Sequence, residues 1–292
     1  MAAEAAAKVK SIFLYPIKSC RGISVSESPI SATGFRWDRQ WMVVNSRGRA
    51  CTQRVDPKLA LVETRIWGEE KVQSRVWEIT YFLTLIRAPG MDELKVSLCK
   101  PPQTCDGVSV WEWSGSALDE GDEASKWFTN YLGKPSRLVR FNEVSQGSLD
   151  ALNELLKEPV PINRFRPNIL VDRCEPFAED LWKEIKIGNL AFHGVKLCSR
   201  CKVPTINQEN AVSASEPTET LVKFRSGKVL IPGRKGQAMV SSLPFNIWNK
   251  TRVYFGQNMV CEDLPEGNEH IIKLGDPVYV INTFASYEDT ST

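Results

Sequence analysis

The stretch Leu197-Cys198-Ser199-Arg200-Cys201-Lys202-Val203-Pro204 places two thiols on either side of an arginine. A thiolate is the form of cysteine that binds soft transition metals, and a neighbouring cation favours thiolate over thiol. The stretch therefore indicates a metal-binding or redox-active loop. The alternative is that both cysteines are small apolar side chains buried for packing.

Two common cysteine chemistries fit this stretch poorly. A structural zinc ion needs about four ligands, and the sequence offers no second cysteine pair or histidine pair at suitable spacing. His193, five residues upstream, is most simply an ordinary strand residue. A thioredoxin-like pair begins a helix, whereas Val203, Pro204 and Thr205 favour an extended chain. Zinc binding and dithiol exchange are therefore disfavoured.

The composition is that of a soluble globular protein. The 292 residues are 42% hydrophobic and 25% charged, with a net charge of +2, so nucleic-acid binding is not indicated. No run of about 18 apolar residues predicts a transmembrane segment, and the Ala-rich residues 1–10 lack the features of a clear targeting segment. Eight scattered cysteines do not form a recognisable disulfide framework, which favours a reducing, intracellular compartment.

Short β-prone runs separated by turn residues recur along the chain. They predict a mainly β protein with a few helices, an α+β fold class with a barrel-like or sandwich-like half. The residues at 45–49 predict the turn of a hairpin, and the tail at 271–281 predicts a last hairpin. Helical spacing of apolar residues predicts helices over 121–132, 148–156 and 215–224.

Polar and cationic residues lie where predicted strands end. Each of them alone is most simply a solvated surface residue. Together they would form a cationic cleft that suits a phosphate and a polar heterocycle, because arginine binds phosphate bidentately. One thiolate then remains as the inner ligand. The residues are Lys18, Ser19, Arg39, Arg166, Asn168, Ser199, Arg200 and Cys201.

Other catalytic motifs are missing from the sequence. It contains no GxGxxG motif after a predicted strand, no phosphate-binding GxxxxGK[ST] motif and no GxSxG motif. With two histidines in the chain, a histidine-based triad has few candidates.

Several segments together resemble MOSC-domain proteins of the mitochondrial amidoxime reducing component type, a family also similar to the C-terminal region of molybdenum cofactor sulfurase. They extend over nearly the whole chain and occur in the family's order. The segments are Tyr15-Pro16-Ile17-Lys18-Ser19-Cys20-Arg21-Gly22, Asp38-Arg39-Gln40-Trp41, the residues 163–168, Cys198-Ser199-Arg200-Cys201 and Gly275-Asp276-Pro277-Val278-Tyr279.

The resemblance implies a MOSC β-barrel domain over 145–284, preceded by an N-terminal β-rich, barrel-like domain over 9–141. It also implies that molybdenum cofactor, a molybdopterin that carries molybdenum, is held between the domains. By similarity Cys201 is the catalytic residue and the thiolate on molybdenum. The residues that would hold the pterin and its phosphate are Lys18, Ser19, Arg39, Arg166, Asn168, Ser199 and Arg200.

The activity implied by the resemblance is reduction of small N-hydroxylated substrates such as amidoximes and hydroxylamines. The implied electron donors are cytochrome b5 and cytochrome b5 reductase. A cofactor then carries the redox chemistry, while the protein supplies one soft ligand and anchoring charge. The resemblance implies a mitochondrial location, and a cytoplasmic one is the alternative because no anchor or clear targeting segment is seen.

Two other functions stay open at this stage. Cys201 could carry a persulfide and pass sulfur to a metal centre, as in a sulfurtransferase. The chain could also be a divergent, non-catalytic cofactor-binding member, because only Asn142-Glu143-Val144 separates Arg140-Phe141 from Ser145-Gln146, where the family usually has a longer segment. The residues 236–250 resemble an insertion.

Overall fold

The structure is a computed structural model, built mainly from antiparallel strands. The predicted helix at 148–156, the shortened segment at 141–145 and the insertion at 236–250 lie outside the residues that it describes. The described residues are 4–31, 34–67, 83–98, 103–110, 113–140, 160–231, 252–261 and 270–291.

Strands outnumber helices throughout the described residues, which confirms the predicted mainly β, α+β fold class. None of the described helices is long and apolar enough to cross a membrane. The described strands are β1 (Ala7–Leu14), β2 (Ile23–Val25), β3 (Glu27–Ser31), β4 (Gly34–Phe35), β5 (Trp41–Asn45), β6 (Glu63–Trp67), β7 (Leu83–Arg87), β8 (Leu94–Ser97), β9 (Gln103–Val110), β10 (Trp113–Asp119), β11 (Ser136–Arg140), β12 (Ile169–Asp172), β13 (Trp182–Ile187), β14 (Leu190–Arg200), β15 (Val253–Cys261), β16 (His270–Lys273) and β17 (Pro277–Thr283). The described helices are α1 (Asp122–Leu132), α2 (Thr218–Arg225) and α3 (Gly227–Leu230), with 3-10 turns at Pro57–Leu61, Ile162–Arg164, Ala178–Leu181, Val203–Thr205 and Asp289–Ser291.

The largest sheet joins strands from the two ends of the chain. Its strands lie in the order β12-β1-β17-β13-β14-β15, with β2 beside β1. Strand β1 pairs with β12, where Ile12 lies opposite Ile169, and with β17, where Ala7 lies opposite Val278. The alternate residues of β1 are buried in one core with residues of β13, β14 and β17. The loop after β1, which begins at Tyr15, is therefore held to the sheet that carries Cys201.

Helix α1 belongs to a second core, which it shares with residues of β5 and β11. Those two strands lie next to each other in a four-stranded sheet of order β5-β11-β10-β9. The helix buries Trp127 and Phe128. It ends at Gly133, whose φ of +71° lies in the left-handed region that a helix C-terminus commonly needs. The helix predicted over 121–132 is confirmed.

The other local predictions gave mixed results. The turn at 45–49 is confirmed, because the Asn45 N–H donates to the Arg49 carbonyl at 2.9 Å and Ala50 bridges back to Val44. The helix predicted over 215–224 is found at Thr218–Arg225.

The prediction of a last hairpin over 271–281 is wrong. Strand β16 pairs with β3, whereas β17 pairs with β1 and β13. The turn between β16 and β17 is present, but the Gly275 N–H donates to the Val9 carbonyl and the Leu274 N–H donates to the Ser26 carbonyl. Tertiary contacts of the turn therefore send the two strands into different sheets.

Candidate functional site

The loop after β1 presents Lys18 and Ser19 in a tight turn. The Cys20 N–H donates to the Ile17 carbonyl at 3.0 Å, and the Lys18 N–H donates to the Trp41 carbonyl at 2.7 Å. Ser19 has a φ of +67°, a left-handed conformation that is costly for a residue other than glycine and often occurs at functional sites. The backbone of this turn is therefore fixed by the neighbouring strand β5.

The turn before β5 holds Arg39 against the loop after β1. Asp38 is buried; it accepts the Tyr15 N–H at 2.7 Å and forms an ion pair with Arg39. The Arg39 guanidinium also donates to the Asn168 side-chain oxygen at 2.7 Å and to the Arg166 carbonyl at 3.1 Å. Arg39 thereby joins the segment before β12 to the loop after β1.

Asn168 and Arg166 lie in the segment that leads into β12. Asn168 is buried, and its amide donates to the Phe13 carbonyl at 2.9 Å. Arg166 donates a hydrogen bond to the Cys20 carbonyl. Like Arg39 (φ +49°), Arg166 has a left-handed backbone, with a φ of +55°. Three of the eight sequence-predicted residues thus have left-handed backbones (Ser19, Arg39 and Arg166).

Tyr15 lies between the two arginines. The Arg166 guanidinium carbon is 4.2 Å from the centre of the Tyr15 ring, and the Arg39 guanidinium carbon is 5.0 Å from it. Such distances allow favourable cation–π attraction. The Tyr15 hydroxyl and the Arg166 Nη2 are both buried, and neither has a hydrogen-bond partner in the described part of the chain. Buried polar atoms normally have partners, so these two atoms are suited to hold a ligand.

Cys201 follows the last residue of β14 and is exposed, as expected for a loop at a strand end. Arg200, directly before it, donates to the Phe255 carbonyl from Nε and Nη2 and to the Phe165 carbonyl from Nη1. The Ser199 hydroxyl accepts from Arg252 at 3.4 Å. In the described residues, Arg200 and Ser199 therefore form hydrogen bonds with other residues of the C-terminal half of the chain. Through the Phe165 carbonyl, Arg200 also holds the segment that carries Arg166.

Lys18 lies close enough to Cys201 and the arginines for their charges to affect its pKa. Burial first, and then the charges of Arg39, Arg166 and Arg54, lower the pKa of Lys18 to about 8. The charge of Cys201 acts in the opposite direction and raises it. Lys18, from the N-terminal part of the chain, therefore lies within electrostatic range of Cys201, which follows it by 183 residues in the sequence.

Burial dominates the other pKa shifts in the site. It lowers the pKa of Arg166 to about 10 and raises the pKa of Tyr15 above its ordinary value. It also raises the pKa of Cys20 to about 12, which makes this buried thiol unreactive near neutral pH. Among the described residues, Asp38 is the one carboxylate that forms an ion pair with the cations Lys18, Arg39 and Arg166. The site therefore favours an anionic ligand.

Sequence reasoning assigned no role to Tyr15 and Asp38, although both lie within segments that carried the family resemblance. Tyr15 directly follows the buried strand β1, and Asp38 directly precedes Arg39, but neither pattern predicts a ring between two guanidinium groups. In the residues that the structure describes, no group of three or more His, Cys, Asp or Glu side chains could hold a metal ion.

Comparison of the sequence with known proteins identifies the family. The MOSC N-terminal beta barrel domain matches residues 6–135, and the MOSC domain matches residues 140–279. The chain is 32% identical over 311 residues to mitochondrial amidoxime reducing component 2 of Bos taurus, covering 93% of this chain and 82% of that protein. It is 29% identical over 309 residues to mitochondrial amidoxime-reducing component 1 of Homo sapiens, covering 94% and 82%. The chain belongs to this family of MOSC-domain proteins.

A second group of relatives shares the same domains. The chain is 28% identical over 259 residues to molybdenum cofactor sulfurase of Danio rerio, covering 75% of this chain and 30% of that protein. The predicted resemblance to both groups is thereby confirmed.

Proposed function

We propose that this protein is a molybdenum-cofactor-dependent oxidoreductase that reduces N-hydroxylated compounds such as amidoximes and hydroxylamines. The observation that carries the proposal is the exposed Cys201 beside a cationic cluster, in a chain related along nearly its full length to amidoxime-reducing components. Cytochrome b5 and cytochrome b5 reductase are the proposed electron donors, and the mitochondrion, named in those relatives, is the proposed location.

The residues present fit the molybdenum cofactor. Cys201 offers the soft sulfur that molybdenum takes as a ligand. The unpartnered donors of Arg166 and Tyr15, together with Lys18, offer hydrogen bonds and positive charge to a phosphate and a pterin. Arg39 and Asn168 hold the backbone that presents these groups. Ser199 and Arg200 act on the same site by fixing the strand end that carries Cys201.

When bound, the cofactor supplies a centre that accepts and donates two electrons. Reduction of an N–OH group to N–H consumes two electrons and two protons and releases water. Lys18, with its pKa lowered to about 8, holds an exchangeable proton at Nζ near neutral pH. Asp38 keeps Arg39 paired, which leaves Arg166 as the cation whose buried donor faces the ligand.

Metal analysis of the purified protein tests the proposal. Wild-type protein should contain about one molybdenum per chain, and Cys201→Ser should lose nearly all of it, because one thiolate is the protein's inner ligand. Cys198→Ser is the matched control and should keep its molybdenum, since Cys198 lies within β14 rather than at its end. Wild-type protein should then reduce an aryl amidoxime with NADH, cytochrome b5 and its reductase. Unchanged molybdenum in Cys201→Ser would refute the ligand assignment.

The similarity to molybdenum cofactor sulfurase supports a second candidate, a sulfur carrier with a persulfide on Cys201. Sulfane sulfur on Cys201, found by mass spectrometry in protein free of molybdenum, would favour it. Stoichiometric molybdenum without amidoxime reduction would instead favour a non-catalytic cofactor-binding member. Fractionation of cells that express the protein separates a mitochondrial location from a cytoplasmic one.

A further inference from the structure

A buried pair of glutamine side chains joins the loop after β5 to the segment that follows Cys201. Gln53 is 0% exposed and Gln208 is 2% exposed, although they are 155 residues apart in the sequence. Each amide nitrogen donates to the side-chain oxygen of the other at 3.0 Å. The two amides therefore form a closed pair with two hydrogen bonds.

The remaining amide hydrogens also have partners. The Gln53 Nε2 donates to the Ser19 carbonyl at 2.7 Å, and the Gln208 Nε2 donates to the Ile206 carbonyl at 3.0 Å. All four N–H groups of the pair are thus used, each on a defined acceptor. Because a buried amide that loses its partner is costly, this arrangement strongly favours one relative position of the Ser19 turn and the segment around Gln208.

Arg21 also binds the segment that contains Gln208. Its guanidinium donates to the Gln208 carbonyl at 2.7 Å and to Glu63 at 3.0 Å, and it forms a second ion pair with Glu209 at 3.1 Å. The Arg21 N–H also donates to the Val62 carbonyl at 2.9 Å. The Gln208 segment is therefore held to the N-terminal part of the chain through the Gln208 backbone carbonyl as well as through side chains, and Arg21 is itself fixed by its backbone bond to Val62.

The chain between Cys201 and Gln208 is short and internally braced. A 3-10 turn at Val203–Thr205 begins two residues after Cys201, and the Thr205 hydroxyl donates to the Lys202 carbonyl at 2.7 Å. On the other side of the pair, Ser19 is the residue after Lys18. A displacement of one amide would thus be passed to Lys18 and to Cys201.

We propose that Gln53 and Gln208 are positioning residues, whose amide pair holds the Lys18–Ser19 turn in register with the Cys201 loop across the two family domains. The expected effect on cofactor retention rests on the proposed function. The pairing of the two amides does not depend on that function. Neither residue contacts the proposed ligand, so both act through Ser19 and the Cys201–Gln208 segment.

Hydrogen exchange of the cofactor-free protein tests the pairing. Gln53→Met and Gln208→Met should each speed amide exchange by about ten-fold in both segments, 18–20 and 202–208, as expected for loss of roughly one buried hydrogen bond. The double variant should speed exchange by clearly less than the product of the two single effects, because each substitution already breaks the two hydrogen bonds that the amides share. Faster exchange confined to the substituted segment, or additive effects in the double variant, would overturn the proposal.

Gln257→Met is the matched control. Gln257 is a buried amide of β15 that donates to the carbonyls of Asp180 and Trp182, within the large sheet. Its loss should lower the melting temperature without changing exchange in the two segments. If a Met variant fails to fold, Gln53→Asn, which keeps an amide but shortens the side chain, should give the same exchange pattern.

Retention of molybdenum supplies the second measurement. On dialysis of the loaded protein, Gln53→Met and Gln208→Met should lose molybdenum about ten-fold faster than wild type, while Gln257→Met should retain it despite its lowered melting temperature. Retention equal to wild type in the two pair variants would overturn their positioning role. If wild-type protein binds no molybdenum, the proposed function fails, and the exchange experiment still decides whether the pair joins the two segments.

Discussion

Two arginines of this protein, Arg225 buried and Arg166 partly buried, lie over aromatic rings at nearly the same distance but differ in how their charges are balanced. The Arg225 guanidinium carbon is 4.3 Å from the centre of the Phe177 ring, and that of Arg166 is 4.2 Å from the centre of the Tyr15 ring. Arg225 forms an ion pair with Asp180, and the two side chains are 3% and 0% exposed. Arg166 forms no ion pair with a carboxylate in the described part of the chain and leaves Nη2 without a partner.

This difference separates a charge that serves the fold from a charge that serves a ligand. A buried ion pair is complete in the folded protein, so neither member attracts a further ion. A partly buried guanidinium without an ion-pair partner is unfavourable until an anion binds, and loss of contact with water lowers the pKa of Arg166 to about 10. The comparison therefore supports the proposal that the region around Tyr15 takes an anionic group.

Removal of each arginine tests this comparison with the largest expected effect. Arg225→Met should destabilise the cofactor-free protein by about 3–5 kcal/mol, because it leaves Asp180 buried without its cation. Arg166→Met should change the free energy of unfolding by less than about 1 kcal/mol, since no buried carboxylate loses its partner. Urea unfolding monitored by circular dichroism measures both values. Equal losses in the two variants would show that Arg166 is also a structural charge.

The pH dependence of stability tests the cationic character of the site. Burial and the nearby arginines lower the pKa of Lys18 from 10.5 in the unfolded chain to about 8 in the folded protein. Between these values the unfolded chain binds a proton that the folded protein has released, so this contribution to the free energy of unfolding rises with pH. Below pH 8 Lys18 is protonated in both the folded and the unfolded chain, and its contribution to the free energy of unfolding is at its least favourable.

Lys18→Met removes this titration. In the cofactor-free protein, wild type should gain stability relative to the variant, by on the order of 1–2 kcal/mol, as the pH rises from about 8 to 10.5. Urea unfolding at a series of pH values gives the difference. A difference that stays constant across this range would mean that the lysine is not held in a cationic, buried site.

Anion binding should separate Arg166 from a surface arginine. Inorganic pyrophosphate at ten times its dissociation constant should stabilise cofactor-free wild-type protein by about 1.4 kcal/mol through its preference for the folded state. Arg166→Met should lose most of this stabilisation. Arg137→Met is the control, because Arg137 is partly exposed and already paired with Asp119 and Asp122. Equal stabilisation of all three proteins in thermal unfolding would place the anion elsewhere.

Two tyrosines give the smallest expected contrast. Tyr15→Phe removes a buried hydroxyl that has no partner in the described residues, so the cofactor-free protein should gain up to about 1 kcal/mol. Tyr131→Phe removes a hydroxyl that donates to the Lys58 carbonyl at 2.8 Å and should lose about 0.5–1 kcal/mol. Chemical unfolding of the two variants measures this difference in sign. A clear loss on Tyr15→Phe would mean that its hydroxyl supports the fold rather than a ligand.

Much of the local structure could be predicted because its causes are local. The spacing of Trp127, Phe128 and Tyr131, with Gly133 after it, specifies an amphipathic helix and its end. The alternation before Cys201 similarly placed the thiol at the end of a strand, where the structure has it. The cations at predicted strand ends suggested a cleft, although alternation alone could not say which strand ends would meet.

The sequence by itself determined the fold class, helix α1 and a strand end close to Cys201, since each depends on residues within a few positions of one another. Only the tertiary structure decided that β16 pairs with β3, that the Tyr15 ring lies between Arg39 and Arg166, and that Gln53 meets Gln208. The physical reason is that these contacts join residues far apart in the chain. Their partners are chosen by which buried surfaces and hydrogen bonds can be satisfied together, and no local pattern of residues records that choice.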